Sequence, residues 1–144
     1  MKRILFVEDD LSLINGISFA LKKQGYETDI ARTVSEAEKS WSRKNYDLVI
    51  LDISLPDGSG YDLCKKIRET STVPIIFLTA ADEETDIIMG LDMGGDDYIT
   101  KPFKLAVFLS RVNALLRRSE NFSQEKNRLS SNGITVQLLD RKSV

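Results

Sequence analysis

The sequence predicts a doubly wound, three-layer α/β domain around a five-stranded parallel sheet, and three observations carry that prediction. Short all-apolar runs recur at Ile4 to Val7, Leu48 to Leu51 and Ile75 to Leu78, each too brief for a helix. Amphipathic stretches of helical period lie between the strand candidates, and the pattern of strand then helix repeats five times. Strands apolar on both faces need cover on each side, and right-handed crossovers supply it by winding helices over both faces of a parallel sheet.

Ile4 to Val7 opens the pattern, and Leu11 to Gln24 follows with apolar residues at Leu11, Ile14, Ile17, Phe19 and Leu21. Gly25 closes that helix as a left-handed cap. Glu27 to Ala31 reads as a weaker strand. Thr33 caps a helix to about Lys44, with Glu36 three residues on, as in a capping box. After the strand Leu48 to Leu51, Leu55-Pro56-Asp57-Gly58 is a loop and Ser59 opens a helix to about Arg68. Pro74 leads into the strand Ile75 to Leu78. Glu83 to Met93 is helical and ends at Gly94-Gly95, Asp97 to Thr100 is a short strand, and Lys104 to Arg118 is a long final helix. Residues 1–118 thus make the domain. Residues 119–128 are polar and charged apart from Phe122 and read as a linker. Residues 129–144 hold Asn132-Gly133 and then Ile134 to Leu139, a turn and a strand with too little chain beyond to bury it. They read as the first piece of a truncated second domain.

The 144 residues are 42% hydrophobic and 29% charged, which suits a packed core and excludes disorder. Twenty basic residues against 22 acidic ones leave a net charge of −2, so no overall basic field attracts nucleic acid. Cys64 is the only cysteine; it excludes a disulfide framework and reads as a small core residue in a reducing compartment. No apolar run approaches a membrane span, and Met1-Lys2-Arg3 leads into a strand rather than a signal peptide, so a cytoplasmic location with no membrane partner is expected. There is no histidine. Its absence removes Ser–His and Cys–His nucleophile pairs, His-ligated zinc and the usual neutral-pH base.

Doubly wound sheets place their sites at the carboxyl ends of strands, beside the reversal of strand order. Those ends carry Glu8-Asp9-Asp10 after the first strand, Asp52 after the third, Thr79 after the fourth and Lys101-Pro102 after the fifth. Acids, a hydroxyl and an ammonium therefore converge on one rim. Carboxylates held together repel, and a divalent cation with oxygen ligands relieves them; Mg²⁺ suits one or two carboxylates, a phosphate and retained waters. A carboxylate can itself be the nucleophile that forms an aspartyl-phosphate, with a lysine and a hydroxyl holding the phosphoryl oxygens. Singly, each residue has a plainer reading: a charged N-terminus for the first helix, a strand end, a strand interior, a solvated lysine. Together they favour phosphoryl chemistry.

The segments Val7-Glu8-Asp9, Leu51 to Gly60 (LDISLPDGSG), Leu78-Thr79-Ala80 and Asp96 to Phe103 (DDYITKPF) resemble the receiver domain of two-component response regulators, over residues 1 to about 118. The linker and strand beyond resemble the OmpR/PhoB type, whose second domain is a DNA-binding winged helix. The resemblance implies a (βα)5 fold of the flavodoxin-like, CheY-like kind, and a phosphoacceptor rather than a turnover enzyme. Asp52 would take a phosphoryl group from a phosphohistidine on a sensor histidine kinase, which agrees with a chain that lacks histidine. Asp9 and Asp52 would ligate Mg²⁺, with the main-chain carbonyl of Ser54 as a third ligand and Glu8 acting through water. Lys101 would pair with a phosphoryl oxygen, and the bond before Pro102 would be cis. Thr79 and Tyr98 would form the switch pair, Tyr98 turning inward, although spacing alone reads Tyr98 as a half-exposed strand aromatic. Phosphorylation would produce a homodimer, with Asp97 and Arg111 as a cross-dimer ion pair. Ile87 and Val107 depart from the family, which more usually carries opposite charges there, and Gly95 stands where alanine is common. Promoter DNA would be bound by the second domain and not by residues 1–144.

Two other classes fit the same residues less well. A haloacid-dehalogenase-type phosphatase expects a second acid two residues after its nucleophile, and Asp52-Ile53-Ser54 lacks it. A flavin or nucleotide binder needs a Gly-rich phosphate cradle after the first strand, where this chain has Glu8-Asp9-Asp10.

Overall fold

The structure is a computed structural model and describes residues 2–79 and 94–129. Strand β1 (Arg3–Val7) leads to helix α1 (Leu11–Lys23), then β2 (Glu27–Ala31), α2 (Val34–Arg43) and β3 (Leu48–Asp52). A two-residue-per-strand hairpin, β4 (Ser54–Leu55) and β5 (Gly58–Ser59), precedes α3 (Gly60–Arg68). Strands β6 (Ile75–Thr79) and β7 (Asp97–Thr100) and helix α4 (Leu105–Leu129) complete the described elements. The sheet is parallel in the order β2-β1-β3-β6-β7. Because the chain steps from β1 outward to β2 and then returns to the other side of β1, the order reverses between β1 and β3, and the rim of a doubly wound sheet opens there.

Alternation along the strands builds the two cores. Ile4, Phe6, Leu48, Ile50, Ile76 and Leu78 face one side, where Ile14, Ile17 and Leu21 of α1 and Phe108 and Val112 of α4 cover them. Leu5, Val7, Val49, Leu51, Ile75 and Phe77 face the other, against Ala37 of α2 and Leu63, Cys64 and Ile67 of α3. Every residue of β3 and β6 is buried, whereas β2 is mostly half-buried, as an edge strand should be. Trp41 stacks on Tyr46 with ring centroids 6.1 Å apart at the margin of the second core.

Local chemistry places the helix ends. Asp10 caps α1, its Oδ1 accepting from the amides of Ser12 at 3.0 Å and Leu13 at 3.4 Å. Gly25, with φ of +91°, occupies the left-handed region that ends α1. Thr33 caps α2 by accepting from the Glu36 amide at 3.0 Å, but Glu36 Oε1 accepts from the Arg32 amide, one residue before the cap, so the capping box is displaced by a residue. Ser59 caps α3 by accepting from the Tyr61 amide.

The last helix departs from expectation. It runs to Leu129, through the stretch Ser119–Arg128 that reads as a linker, and not to Arg118. That stretch contains neither glycine nor proline, and polarity separates exposed from buried residues without separating helix from coil. The helix predicted over Glu83 to Met93, with Ile87, and the turn and strand predicted from Asn132 to Leu139 lie outside the described residues. Among the described residues, no helix is long and apolar enough to cross a membrane.

Candidate functional site

The acids that follow β1 divide three tasks. Asp10 caps α1, as above. Glu8 turns inward and is 1% exposed. Its Oε2 accepts from the amides of Asp9 at 3.0 Å and Asp10 at 3.1 Å, and its Oε1 accepts from Lys101 Nζ at 2.9 Å. Asp9 turns outward, half exposed, with Oδ1 3.4 Å from Arg32 Nη2. The same guanidinium nitrogen donates to the Asp9 main-chain oxygen at 3.0 Å.

Asp52 ends β3 beside Glu8 and is 7% exposed, with Oδ1 3.6 Å from Lys101 Nζ. Burial raises its pKa to about 6, helped by the charge of Glu8 and a hydrogen bond between the two carboxyls; the Lys101 ammonium and the Ser54 amide pull the other way without prevailing. The backbone around Asp52 is tight. Gly60 donates its amide to the Ile53 carbonyl at 2.8 Å, and a Cβ on Gly60 would collide with the main-chain oxygen of Asp52. Glycine is therefore required where α3 begins, and the β4–β5 hairpin folds back over that start. Asp57 at its tip accepts from the amides of Val34 at 2.7 Å and Ser35 at 3.1 Å, tying the loop after Asp52 to the start of α2.

Thr79, the last residue of β6, is 4% exposed, and its main-chain oxygen accepts from the Lys101 amide. The register Asp52↔Leu78 and Thr79↔Thr100 sets Thr79 between the Asp52 and Lys101 strands. The Lys101–Pro102 peptide bond is cis. Tyr98 on β7 is half-buried, its ring centroid 6.3 Å from that of Phe77, and its buried hydroxyl has no hydrogen-bond partner among the described residues. The ring packs against the second core.

The structure thus brings Glu8, Asp52, Thr79 and Lys101 together on the rim, with the Ser54 main chain beside them. Asp9 stands at the edge of this group, and among the described residues no three acids, cysteines or histidines converge as a ready cage for a metal ion. The donors are hard carboxylate and carbonyl oxygens, and Mg²⁺ asks for only one or two carboxylates with retained waters, so the set fits that ion. Asp97 and Arg111, expected to pair across a dimer, pair within one chain at 2.7 Å. Val107 is exposed, as is Leu105 two residues before it. Sequence reasoning missed Arg32. Its signal was available, since it directly follows β2 and so occupies the one strand end left out of the rim.

A buried, lysine-paired carboxylate dyad stands at the switch point of a doubly wound α/β sheet, and comparison with known proteins makes the assignment specific. The response regulator receiver domain family matches residues 4–113, and the chain belongs to it. The chain is 44% identical over 116 residues to the uncharacterized transcriptional regulatory protein YclJ of Bacillus subtilis, covering 81% of this chain and 51% of that protein. It is 45% identical over 120 residues to the transcriptional regulatory protein BasR of Escherichia coli, covering 83% and 54%. These relatives agree with the OmpR/PhoB type. The chain spans about half the length of the curated relatives it matches. Among solved structures, a CheY-like receiver domain protein from Methanospirillum hungatei superposes with a TM-score of 0.80 at 30% identity, over 84% of this chain and 98% of the other. The BeF3-activated N-terminal receiver domain of RstA from Klebsiella pneumoniae gives 0.77 at 37% identity, over 81% and 99%.

Proposed function

We propose that this receiver domain is switched by phosphorylation of Asp52 and that it controls a DNA-binding domain in the manner of its transcriptional relatives. The observation that carries the reading is the buried convergence of Asp52, Glu8, Lys101 and Thr79 on the ends of four neighbouring strands. An Asp52 oxygen attacks the phosphorus of a phosphohistidine on a sensor histidine kinase. The phosphorus–nitrogen bond breaks, its electron pair stays on the imidazole, and the product is an acyl phosphate on Asp52. Asp9, Asp52 and the Ser54 carbonyl, with Glu8 behind them, would hold Mg²⁺, which when bound would neutralise charge on the phosphoryl oxygens. Lys101 exchanges a carboxylate partner for a phosphoryl oxygen, which it reaches from its place between Glu8 and Asp52. Thr79 takes a second phosphoryl oxygen, and the loss of its former position is transmitted to Tyr98 on the adjacent strand.

The output is a two-fold dimer through the β7–α4 face, where Val107 and Leu105 are exposed and Asp97 and Arg111 sit at the surface. That ion pair is satisfied within one chain, so exchanging it across a dimer adds little, and the exposed apolar Leu105 and Val107 carry more of the association. The BeF3-activated RstA receiver supports the same kind of switch by similarity.

Intact mass spectrometry after incubation with acetyl phosphate and Mg²⁺ tests the central claim. One phosphate is expected on the wild-type chain and none on Asp52→Asn. Equal labelling of the variant would remove Asp52 from the role.

A further inference from the structure

We propose that Arg32 is a positioning residue that holds the Asp9 carboxylate in an arginine pair which a divalent cation has to break, so that Arg32 sets the cation affinity of the rim. This rests on the reading of the rim as a cation-assisted phosphoacceptor.

The pair is built into the sheet. The parallel register sets Val7 beside Ala31, and the Glu8 amide donates to the Ala31 carbonyl at 3.0 Å, so the residues just past β1 and β2 are neighbours. Arg32 is fixed at its main chain, where its amide donates to Glu36 Oε1 at 2.9 Å at the start of α2. From that anchor its Nη2 reaches both the main-chain oxygen of Asp9, at 3.0 Å, and Oδ1 of the same residue, at 3.4 Å. One side chain therefore fixes both where Asp9 lies and what its carboxylate faces.

The remaining rim acids are committed elsewhere. Asp10 caps a helix, Glu8 meets two amides and Lys101, and Asp52 lies buried against Glu8 and Lys101. Asp9 alone has a partner that is itself open to solvent, with the two side chains 50% and 47% exposed. An exposed pair of this kind is weak enough to exchange and strong enough to register as a competitor. A cation that takes the Asp9 carboxylate displaces the guanidinium, and the observed affinity is lowered by the cost of that displacement.

Direct Mn²⁺ binding, read from the electron paramagnetic resonance signal of the free ion, tests this on the 144-residue chain. Arg32→Gln should bind Mn²⁺ about two- to fivefold more tightly than the wild type, the upper part of the range an exposed ion pair commands. Lys44→Gln removes the same charge from a lysine that contacts Asp29 and should leave the affinity unchanged. Side-chain NMR signals of Arg32 should move on Mg²⁺ saturation toward their positions in metal-free Asp9→Asn. Equal affinity in the wild type and Arg32→Gln, with Asp9→Asn still weakened, overturns the role of Arg32 and leaves the phosphoacceptor reading standing. Equal tightening by Lys44→Gln overturns it too, because general charge would then suffice. Mn²⁺ binding that Asp9→Asn does not weaken defeats the underlying cation reading instead.

Discussion

Asp29, in the middle of β2, and Asp52, at the end of β3, are both strand aspartates with a lysine beside them, yet their carboxyls sit on opposite sides of the ordinary range. The lysine distances are nearly the same, 3.4 Å from Lys44 to Asp29 and 3.6 Å from Lys101 to Asp52. Burial pushes Asp29 upward, but hydrogen bonds from Tyr46 and Lys44 and the charges of Lys44 and Arg3 outweigh it, so its pKa lies below the usual value. Burial also pushes Asp52 upward, and there Glu8 adds to the push, leaving it at about 6. A lysine neighbour does not decide the matter. The second carboxylate and the deeper burial do, and they mark the functional rim apart from the structural cluster on the edge strand.

The sharpest way to break the contrast is to remove the shared cation of the rim. Lys101→Met leaves Glu8 and Asp52 together without compensation, and a loss of about 2–4 kcal/mol is expected at pH 7 without metal, from urea unfolding. A loss below about 1 kcal/mol would show that the two carboxyls relieve one another by sharing a proton. The next effect has the opposite sign. Asp52 has a raised pKa in the folded chain, so folding opposes its ionisation at neutral pH. A rise of about two units corresponds to about 3 kcal/mol, which solvent at the rim reduces to about 1–2 kcal/mol. Asp52→Asn should therefore stabilise the metal-free protein by that amount at pH 7. Wild-type stability should also climb as pH falls from about 6 toward 4, because the folded state binds a proton that the unfolded chain still releases. A variant that keeps that slope would assign the titration to another group.

Much of this was legible in the sequence. Buried strands announced themselves as four-residue apolar runs, and Asp52, Thr79 and Lys101 followed from reading their carboxyl ends. Alternation within Ile4 to Val7 also determines which residues enter each core. Other features needed coordinates because they depend on where side chains turn. Glu8, Asp9 and Asp10 are chemically alike in sequence, but one faces Lys101, one faces Arg32 and one caps α1. Asp57 looks like a turn residue, and its capping of α2 depends on a hairpin too short to carry a periodic signal. Asp97 and Arg111 are 14 residues apart, and only the packing of α4 beside β7 closes them within one chain.

The smallest effect is the mirror image of the Asp52 result. Asp29 receives Tyr46 Oη at 2.8 Å, Lys44 Nζ at 3.4 Å and Arg3 Nη1 at 3.4 Å, and all three favour its charged form. Tyr46 bears the reciprocal mark, its own pKa pushed up to about 12 by burial and then by the bond to Asp29. Because the folded-state pKa of Asp29 is lowered, its contribution is fully present above the unfolded aspartate value of about 3.9 and is lost as pH falls through the folded value. Asp29→Asn keeps the shape and removes the charge, so a loss of about 1 kcal/mol is expected at pH 7, the scale of a partly exposed charged hydrogen-bond cluster. The difference from wild type should shrink in urea titrations below about pH 4, as wild-type Asp29 takes up its own proton. Destabilisation by Asp29→Asn alongside stabilisation by Asp52→Asn is the expected pattern at neutral pH. Equal signs for the two substitutions would mean that neither the deeper burial of Asp52 nor the company of Glu8 sets these aspartates apart.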